Sequence, residues 1–494
     1  MPLPREVELK LEFRRCDLPR LEAALAEVGS EPVSTFLRSD YFDTPGHEIR
    51  RADLTLRVRR DGERRIQTVK SDGRESVGLF DRIEWERDIE GDFPVLDIAP
   101  RRLVKALADV PVAAIFASNV ERKKSLVQTD SAEIEAAIDI GEVRNAVGGE
   151  ASNSGIIADL AELELELIRG PAAALFDLAR RCNAAAPVRL GVLTKSERGY
   201  RLLEADAEKS ARAEPIALQP AMTTAPAFRT IAWSCLKHFR LNETILLEAA
   251  DARAASGALH QARVALRRLR SALSLFRSVI ADDQFERFRA ALRDLAAVLG
   301  EARNLDVLLD RTTDPALRER LQAPHADAYA AVRTALESPA THSLMLDFAE
   351  WLTLGDWLVN PANVDSRDQP LLPFAADRLQ NLRKQLKRRG DGMTDADDET
   401  RHEARITAKK LRYASEFFSA LYSGGKAGKR RRNFQDKLEK LQSRLGDLND
   451  LATAPQVLAS LGIAPAEAPP ADRGAMIRDA AAAHAGLIDA RRFW

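Results

Sequence analysis

Glu6-Val-Glu8-Leu-Lys10-Leu at the start of the chain and Glu162-Leu-Glu164-Leu-Glu166-Leu far downstream share one beat, a charged residue alternating with an aliphatic one. Carboxylates in such a row are the oxygen donors that hard divalent cations take, and a strand that lines them up repels itself unless cations lie opposite. Basic counterparts stand in Leu54-Thr55-Leu56-Arg57-Val58-Arg59 and Ile66-Gln67-Thr68-Val69-Lys70. The alternation predicts β-strands, because period two puts the charges on one face and the aliphatics, which must be buried, on the other. A closed antiparallel sheet with carboxylates on one inner wall and Arg57, Arg59 and Lys70 on the other would hold a divalent metal and a polyanion together.

A second pattern is a repeat. His260-Gln-Ala-Arg263-Val-Ala-Leu-Arg267-Arg268-Leu-Arg270 aligns without gaps on His402-Glu-Ala-Arg405-Ile-Thr-Ala-Lys409-Lys410-Leu-Arg412, an offset of 142 residues. Matching helix ends follow, Leu299-Gly300-Glu-Ala-Arg-Asn304 and Leu445-Gly446-Asp-Leu-Asn-Asp450. Duplication of a helical bundle explains both. In each copy the histidine and three cations fall at i, i+3, i+7 and i+10, one stripe of a helix about 15 Å long. A row of cations without acidic partners one turn away suits an extended polyanion.

These elements need a frame. A chain of 494 residues exceeds one core and implies two or three domains. Its 74 basic and 75 acidic residues leave a net charge of −1, so no global field draws it to nucleic acid or membrane, and the few aromatics among the basic stripes disfavour stacking on bases. Three scattered cysteines, Cys16, Cys182 and Cys235, fit neither a disulfide framework nor a metal knuckle and suit a reducing compartment. A start charged at Arg5 and Glu6, with no apolar run near 20 residues, predicts a cytoplasmic protein. Strand-rich patterning to about Leu203, a Pro-bearing stretch at 204–227 and Ala/Leu/Arg-rich helical patterning beyond predict an α+β domain at 1–203, a linker, and an all-α domain at 228–494.

The residues then carry a resemblance. Glu6-x-Glu8-x-Lys10, Asp40-Tyr-Phe-Asp43-Thr44, Leu56-Arg57-Val58-Arg59, Thr68-Val-Lys70, Arg82-Ile-Glu84-Trp-Glu86, Asp139-Ile-Gly141, Glu162-Leu-Glu164-Leu-Glu166 and Lys195-Ser-Glu-Arg198-Gly resemble, in order and spacing, the CYTH or triphosphate tunnel metalloenzyme family. The duplicated basic helices with Leu-Gly ends resemble the CHAD domain, and the tandem resembles bacterial CYTH–CHAD inorganic triphosphatases.

What the resemblance implies is specific. The first domain would be an eight-stranded antiparallel β tunnel with flanking helices, hydrolysing a triphosphate with Mg²⁺ or Mn²⁺. Glu6, Glu8, Glu162 and Glu164 would hold the metal, with Glu166 either joining them or facing water at the mouth. Lys10, Arg57, Arg59, Lys70, Arg122 and Lys195 would clamp the phosphates, with Arg38 and Arg82 as further candidates, and Asp139 would point inward to orient the attacking water or a second metal. That water is the simplest nucleophile, since no Ser, Cys or His motif offers a covalent route. The expected substrate is inorganic tripolyphosphate, cleaved to pyrophosphate and phosphate. Organic triphosphates and a scaffold that binds without turnover are the alternatives. His260, Arg263, Arg267, Arg270, His402, Arg405, Lys409 and Arg412 would bind long-chain polyphosphate, and the protein would sit beside it in the cytoplasm.

Overall fold

The computed structural model describes residues 5–71, 79–96, 103, 105, 107, 110–145, 157–204, 209–249, 251–463 and 472–494, and for residues 5, 6, 79–83 and 157 the backbone alone. The chain forms two compact units, residues 1–209 with 336–354, and residues 210–335 with 355–494.

The first unit is built on an antiparallel sheet of β1 (Arg5–Phe13), β2 (Val33–Asp43), β3 (Leu54–Asp61), β4 (Arg64–Ser71), β5 (Leu79–Asp88), β6 (Ala113–Gln128), β7 (Glu133–Asn145), β8 (Ile157–Arg169) and β9 (Val188–Leu190). Their order is β5-β4-β3-β2-β6-β7-β8-β1-β9, and β5 pairs with β1 as well, so the ladder returns on itself. Eight strands are thus joined in a ring, and the sheet has nine, which corrects the expected number. The reason lies in β1. Its Arg5–Leu9 half pairs with β5, and its end, Leu11–Phe13, is left for Val188–Leu190. Three residues are too few for alternation to mark them as a strand.

Period two is obeyed where the site is built. Leu9, Leu11, Leu163 and Leu165 have no exposed surface, on the face opposite Lys10 and Glu164. Helix α1 (Leu18–Ala26) and helix α2 (Ala173–Ala185) pack together, and α2 lies against β1, β8 and β9, burying Leu175, Phe176 and Ala179. With the aliphatic face under helices, the charged face must turn to the other side. Helix α3 (Lys195–Leu203) starts from a capping box in which the Thr194 side chain accepts from the Glu197 N–H and the Glu197 carboxylate accepts from the Thr194 N–H, so its first residue, Lys195, is held at a fixed angle.

Helix 339–354, from the middle of the helical half of the sequence, also belongs to this unit. It packs against α2 and β9, with Arg180 donating to Asp347 at 3.0 Å and to Glu350, and Asn183 donating to Ser343 at 3.2 Å. Phe348, Met345 and Leu352 are its buried anchors. Phe348→Ala is expected to destabilise the first unit by about 3–5 kcal/mol, read as a lower urea midpoint. An unchanged midpoint would mean that this helix is not part of the unit's core.

In the second unit, α4 (Ala252–Leu275), α5 (Phe285–Arg311), α6 (Asp398–Phe417) and α7 (Gly425–Ser460) carry the repeat. Asp251 and Asp397 cap α4 and α6 by accepting from the N–H groups of Ala254 at 3.0 Å and Thr400 at 2.8 Å. Equivalent residues of the two copies, Ala262 and Ala404, Leu266 and Ala408, Leu269 and Leu411, are all buried, which leaves the basic stripe on another face. α4 packs on α5, α6 packs on α7, and α4 also meets α6, so the two copies lie beside each other. No described helix is long and apolar enough to cross a membrane.

Candidate functional site

Register decides which charges meet in the first unit. Lys10 on β1 stands opposite Glu164 on β8, Glu164 opposite Ala137 on β7, and Glu162 opposite Asp139. Asp139 in turn faces Arg122 on β6. Four strands therefore deliver five charged groups to neighbouring rungs, and Lys195 enters from the start of α3. Lys195 Nζ lies 2.8 Å from Asp139 Oδ2, 3.0 Å from Glu162 Oε2 and 2.7 Å from Glu164 Oε1. Lys10 Nζ lies 2.6 Å from Glu164 Oε1 and 3.6 Å from both Glu8 Oε1 and Glu162 Oε2. Arg122 donates through Nε to Asp139 Oδ1 at 2.6 Å, through Nη2 to Asp139 Oδ2 at 2.5 Å, and through the same nitrogen to Glu164. The Lys10 stem is pressed against Gly191, where a Cβ would come within 2.5 Å of Lys10 Cγ, so only glycine fits.

The electrostatics follow from burial and pairing. Burial alone would raise the Glu162 carboxyl, but Lys10, Lys195 and Arg198 outweigh it and hold it at about 2. Glu164 is held well below the usual carboxylate range against the same burial, by Lys10, Lys195 and Arg122. Reciprocally, burial works against the Lys10 and Lys195 ammonium groups, yet both are raised, Lys10 by Glu162 and Glu164 and Lys195 by Asp139, Glu162 and Glu164. One oxygen from each of Asp139, Glu162 and Glu164 lies within 4.8 Å of the others. They form a cluster of carboxylate oxygens, hard donors of the kind that suits a divalent cation.

Arg57, Lys70, Glu84 and Glu86 form a neighbouring group on β3, β4 and β5. Arg57 lies 3.6 Å from Glu84 and 3.7 Å from Glu86, and Lys70 Nζ lies 2.7 Å from Glu84 Oε2. Arg59 differs, making no ion pair among the described residues. Burial and then the fields of Arg57 and Arg122 bring its guanidinium down to about 10. Glu86 acts on it in the opposite sense without pairing, so this half-buried guanidinium stands in a field that an anion would relieve. Arg38, at the edge, pairs with Asp40 at 3.3 Å. Glu166 is half-buried opposite Glu8. Glu6 and Arg82 are paired in backbone register, and their side chains lie outside the described residues.

The second unit collects cations instead. Arg263 and Arg267 from α4 and Arg405, Lys409 and Arg412 from α6 act on one another, and Arg303 of α5 acts on Arg263 and His260. Burial and then Arg267, Arg303 and Arg405 lower Arg263 to about 10. Arg263 Nη1 donates to the Leu299 carbonyl at 3.2 Å across Gly300, where a Cβ would stand 3.1 Å from that nitrogen. His402 and Arg405 both reach Asn449 Oδ1, at 2.9 and 3.0 Å. Arg270 stands apart, lowered by burial and then by Arg293, Arg267 and Arg289.

Several members escaped the sequence reading. Glu12 and Arg198 meet at 2.5 Å, and Arg198 also holds Glu162 at 3.1 Å. Glu12 prolongs the alternation of Glu8 and Lys10, a signal that was available. Arg303 occupies the place of Asn449 in the other copy, off the repeated stripe. It is held by Asp306 at 3.2 Å, which also accepts from Tyr329 at 3.0 Å and lies 2.9 Å from His325 Nε2. Nothing in the spacing marks His325 for this contact.

A nine-stranded antiparallel sheet carrying paired charges, followed by a helical unit with a duplicated cationic stripe, defines an α+β protein of two parts. The chain belongs to the proteins that join a CYTH domain, matched over residues 4–200, to a CHAD domain, matched over residues 230–459. It is similar to an inorganic triphosphatase of Haemophilus influenzae, 26% identical over 206 residues, which is 40% of this chain, and it spans 55% of that protein's length. Among solved structures it is similar to the CHAD domain of the plant Ricinus communis, at 30% identity and a TM-score of 0.46, over 57% of this chain and 97% of that one. It is also similar to a putative adenylyl cyclase from Hippeastrum described as having a dominant triphosphatase activity, at 14% identity and a TM-score of 0.28, over 39% and 93% of the two chains.

Proposed function

We propose that the first unit is a metal-dependent triphosphatase that cleaves inorganic tripolyphosphate to pyrophosphate and phosphate, and that the second unit binds long-chain polyphosphate. The observation that carries this reading is the convergence of the Asp139, Glu162 and Glu164 carboxylates beside Lys10, Lys195 and Arg122. The curated relative's activity supports it.

Asp139, Glu162 and Glu164, with Glu8 next to Lys10, would hold Mg²⁺ or Mn²⁺. When bound, such an ion neutralises phosphate oxygens and polarises the phosphorus they surround. Arg57, Arg59 and Lys70 cradle the rest of the chain of phosphates, Arg59 being the cation with no carboxylate to leave behind. Lys10, Lys195 and Arg122 fix the carboxylates and meet the charge that gathers on the bridging oxygen as water attacks the terminal phosphorus. The water oxygen bonds to that phosphorus, the phosphorus–bridging oxygen bond breaks, pyrophosphate leaves with the electron pair, and the water's proton passes to the departing oxygen or to solvent.

The test is phosphate release from tripolyphosphate, ATP, thiamine triphosphate and long-chain polyphosphate, each with Mg²⁺, Mn²⁺ or a chelator. Release is expected to be fastest from tripolyphosphate and to stop with chelator. Release that ignores the chelator, or none from any substrate, would end the proposal. Within that assay Arg59→Ala should raise KM for tripolyphosphate by about tenfold or more, the loss of one charged contact. A KM left unchanged would remove Arg59 from the phosphate site.

A further inference from the structure

Lys429-Arg430-Arg431-Arg432, a basic run outside the duplicated motif, lies in the first turns of α7. Lys429, Arg430 and Arg432 are exposed, as solvated cations are, but Arg431 is half-buried. What it faces follows from the seam between α6 and α7. Asn449 of α7 meets His402 and Arg405 of the stripe at 2.9 and 3.0 Å, Gln442 donates to the Ala408 carbonyl at 2.9 Å, and Gln435 donates to the Ser415 carbonyl at 3.4 Å. These amides recur every 7 residues, about two turns, so one face of α7 runs along α6 in the opposite direction. Arg431 precedes Asn449 by 18 residues, about five full turns, which returns it to that face about 27 Å further along. Arg412, the last cation of the stripe, falls between the rungs at Ala408 and Ser415, and Arg431 stands beyond it. Its Nη1 donates to the neutral Gln435 Oε1 at 2.9 Å, and it makes no ion pair among the described residues. Glu416, the acid in the last turn of α6, already holds Arg268 at 2.7 Å and Arg412 at 3.4 Å. Helix 371–390 also packs on α6, where its Arg389 lies 3.4 Å from Glu403 and donates to Thr407 Oγ1 at 2.5 Å.

We propose that Arg431 is a further phosphate contact, the far end of a track that starts at His402 and Arg405, and that it makes the helical unit prefer long condensed phosphates to short ones. The inference rests on the polyphosphate-binding reading of this unit. A row of cations holds a chain of phosphates only over the length that the two share. Arg431, about 27 Å along α7 from Asn449, adds nothing to a chain that ends before reaching it. Tripolyphosphate is such a chain. A long chain already seated on the stripe meets Arg431 as an intramolecular contact, so the added grip costs little further loss of freedom.

The experiment is calorimetric titration of the full chain with polyphosphates of graded length, from tripolyphosphate upward, with a chelator present to stop turnover. Wild-type affinity should rise with length until a chain spans the stripe and Arg431. Arg431→Gln should match the wild type for tripolyphosphate, bind long chains about tenfold more weakly, and lower the salt slope of long-chain binding by about one unit. Arg431→Lys, which keeps the charge, should retain most of the long-chain affinity. Arg430→Gln removes the same charge about 100° round the helix and should bind every length within about twofold of wild type. Equal losses in Arg430→Gln and Arg431→Gln, a loss that is the same at every length, or long-chain binding untouched by Arg431→Gln overturns the proposal. No binding of any chain by the wild-type protein would overturn the polyphosphate reading, and this proposal with it.

Discussion

Glu164→Gln should lower kcat for tripolyphosphate by on the order of 10²–10³-fold while the variant still binds the substrate. Its carboxylate touches Lys10 at 2.6 Å, Lys195 at 2.7 Å and Arg122, and it is one of the three converging donors. The amide keeps the shape and loses the charge, so a divalent cation loses an ionised ligand and three buried cations lose a shared partner. Those cations then repel one another, and an added polyanion relieves more repulsion than in the wild type. Thermal unfolding with tripolyphosphate should therefore show an upward shift at least as large as that of the wild type, alongside the lost turnover. Turnover within a few-fold of wild type would strike Glu164 from the mechanism. Loss of the thermal shift together with activity would mean that the residue serves binding or folding rather than the chemical step.

The strands that build this centre were readable because alternation is local: β1 and β8 announce their charged faces within six residues each. Convergence was not. Asp139 sits as one acid among Ile138, Ile140 and alanines, and only its rung opposite Glu162 makes it a partner of Lys195. Lys195 itself lies at the first turn of a helix, where a cation is disfavoured by the helix dipole, a local conflict that marks a site rather than a scaffold. Arg57 and Arg59 alternate alike and face the same two strands, yet Arg57 has carboxylates within 3.7 Å and Arg59 has no ion pair among the described residues, a difference of rung: Arg57 lies opposite Thr68, which faces Glu86, and Arg59 lies opposite Ile66. Helix 339–354 shows the same limit on a larger scale. Its apolar residues say that it is buried and leave open which unit it completes.

The second large effect should come from Arg263→Ala combined with Arg405→Ala, which is expected to weaken long-chain polyphosphate binding by on the order of 10²-fold and leave tripolyphosphate hydrolysis within about twofold. The two arginines are equivalent members of the repeat and act on each other, so one face of cations is emptied from both sides. Arg263 spends one N–H on the Leu299 carbonyl and Arg405 one on Asn449, and neither is paired with a carboxylate among the described residues. Their removal therefore orphans no buried acid, and relief of mutual repulsion should leave stability unchanged or slightly raised. Hydrolysis is spared because both residues belong to the second compact unit, whereas Lys10, Lys195 and the carboxylates belong to the first. Salt sharpens the test. Wild-type binding should weaken steeply with ionic strength, and the double variant, with two fewer cations on the polyanion, should show a shallower slope. Equal loss of binding and hydrolysis would mean that the two units share one site, and binding that survives with the wild-type salt slope would place the polyphosphate elsewhere on the helices.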